Sequence, residues 1–276
     1  MNVVWAVLLI VALAAVAVTA MLFVRRRAPD GSYFNDGDRA AGVFGVLATG
    51  FSVLLGLVVV LAFTSYDQSR SGAASEARLI AHQYETADLL PAPTNRRLGT
   101  ELICYARSVI HTEWPRMAEG TESGAINPWG LRMFETIRTA RPTSPTEQAA
   151  FSKWLDQTEE RQNARQDRIH GAEGVIPIPL WIVLIFTAVV IFGFMLFFAD
   201  SGEPAIVQAT LVGSVVGVIV ATMLVIRFLD NPYRPGVGSL KPVAMERALT
   251  MIDQDRRLVG DSGPLPCSET GDAVAR

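Results

Sequence analysis

The sequence predicts an all-α integral membrane protein, with four transmembrane helices and a helical soluble domain inserted between the second and third. Three observations carry that prediction. Half of the 276 residues are hydrophobic and only 18 % are charged. Mean hydropathy is +0.30, more apolar character than a water-soluble core of this size conceals. Four stretches without a charged side chain reach the roughly 20 residues that cross a hydrocarbon layer of about 30 Å.

Those stretches are Val3 to Val24, Ala40 to Phe63, Val175 to Phe198 and Ala205 to Ile226. In lipid every backbone N–H and C=O must be satisfied within its own segment, so each reads as a helix. The first lacks the basic start and short core of a cleaved signal, and it reads as a retained helix. Residues 1–39 thus hold the first span and a short basic loop, 40–63 the second span, and 175–229 a transmembrane hairpin.

Residues 64–174 are polar enough for water and read as helical. Helical spacing runs out of the second span through Ala73, Glu76, Leu79, Ile80, Gln83, Tyr84 and Ala87 to Pro91. A second helix places Leu98, Leu102, Tyr105, Ala106, Val109, Ile110 and Met117 on one face, with Pro115 expected to kink or end it. Asn127-Pro128 opens a short helix with Leu131, Phe134 and Ile137 inward. Ser144-Pro145-Thr146-Glu147 is a capping box. Its helix carries Phe151, Trp154 and Leu155, then a polar run through Glu159, Glu160, Arg161, Arg165 and Arg168 that reads as a solvated face or a self-association surface. Residues 230–258 form a juxtamembrane segment and an amphipathic helix, and glycine, serine and proline in 259–276 predict a disordered tail.

Cys104 and Cys267 are too few for a disulfide framework and lack metal-ligand spacing, and Cys104 reads as a small buried hydrophobe. A formal charge of −3 offers no basic stripe for nucleic acid. Three isolated histidines, with no phosphate loop and no nucleophile elbow, argue against an enzyme and imply no cofactor or metal. A coupled carrier would keep an ionisable residue at bilayer depth, and none is present.

Orientation rests on basic residues. Arg25, Arg26, Arg27 and Arg39 flank one side, whereas Arg70, Arg78, Arg161, Arg165, Arg168, Arg227, Arg234 and Lys241 share the other. The majority places both termini and the soluble domain in the cytoplasm. Only Lys153 and Lys241 are lysines, a composition typical of GC-rich bacteria, so the membrane is read as a bacterial inner membrane.

Two stripes of small residues stand out. In the second span Gly45, Thr49, Ser52 and Gly56 share a face continued by Val59, Val60 and Phe63. That face suits close helix packing or a narrow pore closed by an apolar ring. In the fourth span Ala209, Gly213, Gly217 and Ala221 recur every four residues and read as helix packing.

Leu61 to Asp67 followed by Glu76, then Tyr105 and Glu113-Trp114-Pro115, then Asp230-Asn231-Pro232-Tyr233, resemble the bestrophin-like family of bacterial membrane proteins. The resemblance implies a distant relation to bestrophin anion channels, which are pentamers lined by the second span. It therefore implies a homo-oligomeric channel in the lipid bilayer passing small inorganic anions. A second function stays open, a non-conducting scaffold or sensor whose soluble helices recruit a partner. The calcium-binding acidic cluster of true bestrophins has no match around Asp253-Gln254-Asp255.

Overall fold

A computed structural model describes residues 3–30, 33–121, 126–260 and 263–274. The chain divides into two compact units, Met1–Thr64 with Val175–Asp230, and Ser65–Gly174 with Asn231–Arg276. The segment after the fourth apolar helix therefore belongs with the inserted domain.

The first unit contains α1 (Val3–Arg25), the beginning of α2 (Gly37–Asp88), α7 (Ile178–Phe197) and α8 (Ala205–Leu229). Each of these helices is long and apolar enough to cross a membrane. Among themselves they bury little. One cluster joins Phe51, Leu55 and Val58 of α2 to Leu184 and Ile191 of α7 and Ile226 of α8. Another joins Ala17 and Met21 of α1 to Val212 of α8. The outward-facing remainder is what lipid or neighbouring chains would cover. The third span begins at Ile178, three residues later than its composition suggests, because Pro177 is extended and holds its predecessor out of the helical region. The freed N–H groups of Val175 and Ile176 donate to Asp230 Oδ1 at 2.7 and 2.9 Å. Beyond α1, Arg25 Nη2 donates to the carbonyls of Ser201 (3.0 Å) and Glu203 in the α7–α8 connection.

The second unit holds the rest of α2, then α3 (Thr94–Ser108), α4 (Trp114–Glu119), α5 (Pro128–Arg138), α6 (Pro145–Ile169) and α9 (Val243–Leu258). Its core includes Leu98, Leu102, Ile103, Tyr105, Trp129, Trp154, Met245 and Ile252. Helix α2 runs unbroken from Gly37 to Asp88, as the uninterrupted spacing predicts.

Several expectations need correction. Pro115 does not end the second helix. A π-helical turn, Val109–Glu113, precedes it, and Pro115 falls in the first turn of α4, which stops at Gly120 with φ +72°. The wider turn accommodates a residue that lacks an N–H and crowds the preceding turn. Asn127 caps α5 as expected, its Oδ1 accepting from Trp129 N at 3.0 Å. The buried residues of that helix are Trp129, Met133, Thr136 and Ile137, whereas Leu131 and Phe134 are exposed. The large indole of Trp129 takes the core position and rotates the apolar face. In α6 the capping box is present, but Leu155 is exposed, and the polar half buries Gln157, Arg161, Ala164 and Arg168 along one side.

The tail is likewise not loose. Cys267 forms a disulfide with Cys104 across 163 residues of sequence. Cys267 also bridges Ala273, and Trp129 Nε1 donates to Gly271 O at 2.6 Å. Low apolar content was offset by a covalent tie that composition does not display. Residues 261, 262, 275 and 276 of that tail lie outside the described residues.

Candidate functional site

Two features of the molecule concentrate chemistry, one in each unit. In the second unit, charged residues converge within the helical core. Gly72 of α2 makes the convergence possible. A Cβ built there would lie 2.5 Å from Arg168 N and 2.8 Å from Ala164 O, so α2 and α6 cross with backbones nearly touching. One turn further along α2, Glu76 meets Arg168, and both side chains are fully buried. Arg168 Nε donates to Glu76 Oε2, and its Nη2 donates to Glu76 Oε1 at 3.3 Å and to Glu113 Oε2 at 2.5 Å.

The network extends outward from that guanidinium. Glu113 Oε1 also accepts from Arg165 Nη2 at 3.3 Å and from Asn127 Nδ2 at 2.8 Å. Tyr105 donates its hydroxyl to Glu76 Oε1 at 2.5 Å, and Tyr233 donates to the Arg168 carbonyl. The Trp114 ring lies 5.6 Å from the Arg168 guanidinium carbon and packs edge-on against Tyr233.

Removing these charges from water costs several kcal/mol per ion, and dense pairing offsets that cost. Burial alone would push the Glu113 carboxyl up, but the Arg168 and Arg165 guanidinia outweigh it and hold it below the ordinary carboxylate range. Burial opposes the charge on Arg168, yet Glu76 and Glu113 keep it firmly protonated. Burial, reinforced by Glu76, pushes the Tyr105 hydroxyl up, so it stays a neutral donor. Held this way, the Glu113 carboxylate is a poor proton acceptor. The arrangement locks α2, the π-helical turn and α6 in one register.

Of the motif residues singled out by sequence, the structure gathers Glu76, Tyr105, Glu113 and Trp114 into this network. Pro115 is exposed in the first turn of α4, and Asp67 is exposed on α2. Asp230 caps the lead into α7, as described above, and Pro232 accepts from Leu240 N at 2.9 Å. Asn231, beside it, is half-buried. Sequence reasoning missed Arg165 and Arg168 as interior partners and Gly72 as a positioning residue, and it read Asn127 only as a helix cap, without its bond to Glu113. The available signal was the stripe Gln157, Arg161, Ala164, Arg168, whose helical spacing marks one face although its polarity suggests solvent.

In the first unit the two small-residue stripes have different surroundings. On α8, a Cβ at Gly213 would lie 3.3 Å from Val18 and one at Gly217 would lie 3.9 Å from Ile10, so this stripe lies against α1. Ala221, further along α8, is half-buried, and Ala209 is partly buried beside the Ala17–Met21 cluster. On α2, a Cβ at Gly45 or Gly56 would meet nothing within 4 Å. Thr49, Ser52, Val60 and Phe63 on the same face are exposed and Val59 is half-buried, whereas the opposite face buries Phe51, Leu55, Val58 and Ala62. The Ser52 hydroxyl donates to Ala48 O at 2.9 Å.

Comparison with known proteins gives a consistent family. The model of the bestrophin-like domain matches residues 11–245. A variant of a bacterial bestrophin homolog from Klebsiella pneumoniae superposes with a TM-score of 0.66 at 16 % identity, covering 92 % of this chain and 99 % of that one. The homolog solved by zinc phasing gives 0.65 at 16 % identity, over 99 % of this chain and 100 % of the other. At these identities the likeness concerns the fold. No curated protein sequence matches.

Proposed function

Because the chain belongs to the bestrophin-like family, we propose that it assembles into a homo-oligomeric anion channel in which α2 lines the pore. The observation that supports this most is the α2 face of Gly45, Thr49, Ser52, Gly56, Val60 and Phe63, which the chain's own helices leave uncovered. The face carries no carboxylate from Ala40 to Phe63, so it raises no barrier to anions. Small residues leave room along the axis, and Val59, Val60 and Phe63 form the constriction where dewetting closes the path. A pentamer follows the family resemblance.

Purified protein in planar bilayers is expected to give unitary currents that reverse with the chloride gradient. Phe63→Ala raises conductance or open probability, and Ser52→Leu suppresses current. Absence of unitary current under every anion gradient, or indifference of the current to both substitutions, overturns the reading. A native mass of five chains supports it, and a monomer or dimer without a central axis supports the scaffold instead.

We place both termini and the soluble unit in the cytoplasm of a bacterial cell. Arg161 and Arg168 are enclosed in the protein interior and Arg165 pairs with Glu113, so the charge bias rests mainly on Arg70, Arg78, Arg227, Arg234 and Lys241. The Cys104–Cys267 bond is the opposing observation, since disulfides persist best in oxidising compartments. A periplasm-dependent reporter fused after Arg276 is expected to stay silent, and activity would reverse the orientation.

A further inference from the structure

The second unit contains a cavity of about 520 Å³ that the channel reading does not use. That volume suits a small organic molecule. Its wall includes Met133, Phe134, Ile137, Trp154 and Leu155, from α5 and α6. Its polar lining includes Tyr105, Arg161 and Arg165.

Arg161 sets this cavity apart. It is only 3 % exposed, its guanidinium carbon lies 4.7 Å from the centroid of the Tyr105 ring, and its Nε is buried without a hydrogen-bond partner among the described residues. The stacking supplies some attraction but no acceptor. The two buried carboxylates nearby are bound to other guanidinia. Glu76 and Glu113 are both engaged by Arg168, and Glu113 also by Arg165. Glu159 also borders the cavity, but it is exposed to solvent. A buried cation without an acceptor costs free energy that an incoming anion would recover.

We propose that this cavity is a binding site for an organic carboxylate with an aromatic or branched aliphatic body. The planar guanidinium of Arg161 offers a fork matched to a carboxylate, and Tyr105 backs it. The apolar wall selects the body and disfavours bare inorganic anions, which would leave the exposed side chains of Phe134 and Leu155 uncovered. The site is contained within the soluble unit and does not depend on ion conduction. It gives that unit a ligand-sensing capacity whether or not the chain is a channel.

Isothermal titration of the purified full-length protein in detergent tests the proposal, with sodium 3-phenylpropionate as probe and 3-phenylpropionamide and sodium chloride as controls. Saturable binding of one phenylpropionate per chain is expected, with the neutral amide and chloride weaker by about tenfold or more. Arg161→Gln weakens the carboxylate by about tenfold, and Arg161→Lys recovers part of the loss. Since Arg161 packs against Tyr105, a second variant at the exposed rim, Phe134→Asp, guards against misfolding and also abolishes binding. No saturable heat up to about 10 mM, equal binding of acid and amide, or unchanged binding in Phe134→Asp and in folded Arg161→Gln overturns the proposal. An Arg161 already occupied by an acidic group of a neighbouring subunit would show itself as the first of these outcomes.

Discussion

Glu76 and Arg168, 92 residues apart in sequence, face each other in complete burial, and Arg168 closes a second ion pair on Glu113. Removing the cation leaves two carboxylates in the protein interior. Arg168→Met is therefore expected to destabilise the soluble unit by about 3–5 kcal/mol. Thermal unfolding followed by circular dichroism, or loss of detergent-soluble protein on expression, measures it. Glu76→Gln keeps an acceptor for Tyr105 and costs less than Arg168→Met.

Gly72 is required by proximity. In an exposed helix interior, alanine in place of glycine stabilises by about 1 kcal/mol. Here the added Cβ would lie 2.5 Å from Arg168 N and 2.7 Å from Asp167 Cβ. Gly72→Ala is expected to reverse that sign and cost about 1–3 kcal/mol, because backbone atoms rather than a flexible side chain must yield. A lowered melting temperature checks this.

Two glutamates give opposite pH dependences. Burial pushes the Glu101 carboxyl from its ordinary 4.5 up to about 6, although Thr136 donates to it at 2.9 Å. The folded chain therefore takes up a proton between those values, and the contribution of Glu101 to stability falls as pH rises through that window. Glu101→Gln should raise the melting temperature at about pH 7.5 by a free energy on the order of 1 kcal/mol, discounted for partial exposure, and the gain should vanish near about pH 4.5. Glu113 runs the other way, because Arg168 and Arg165 depress it against burial. Its stabilisation is present above about pH 4.5 and is lost as pH falls through its lowered value. Glu113→Gln should destabilise at neutral pH, with a penalty that shrinks in acid.

The C-terminal segment is held by residues far upstream. Arg107 Nη1 donates to Ser268 O at 3.0 Å, and Trp129 Nε1 donates to Gly271 O. Gly271 has φ +88°, and a Cβ there would lie 2.7 Å from Ser108 Cα. Gly271→Ala should unseat the segment. Cys267→Ser removes a tether that the chain-entropy account values at about 4–5 kcal/mol. Both variants should expose Arg256, which is buried and donates to Gly263 O in the parent, and so speed tryptic cleavage there; equal cleavage rates would refute the docked tail.

The sequence by itself determined the four apolar helices, the continuous α2, the caps at Asn127 and Ser144, and the small-residue stripes. These are local properties, written in hydrophobic length, helical period and capping chemistry. It also supplied Glu76, Tyr105 and Glu113 as candidates, without their partners. The tertiary structure alone decided that the polar half of α6 is interior. Arg168 is buried because Gly72 lets two helices touch and two carboxylates wait there, facts separated by about a hundred residues of chain. For the same reason the rotation of α5 around Trp129, and the covalent capture of Cys267 by Cys104, were invisible locally. Pairing across such distances leaves no trace in the spacing of either partner. That is why the membrane helices were legible and the buried ion network was not.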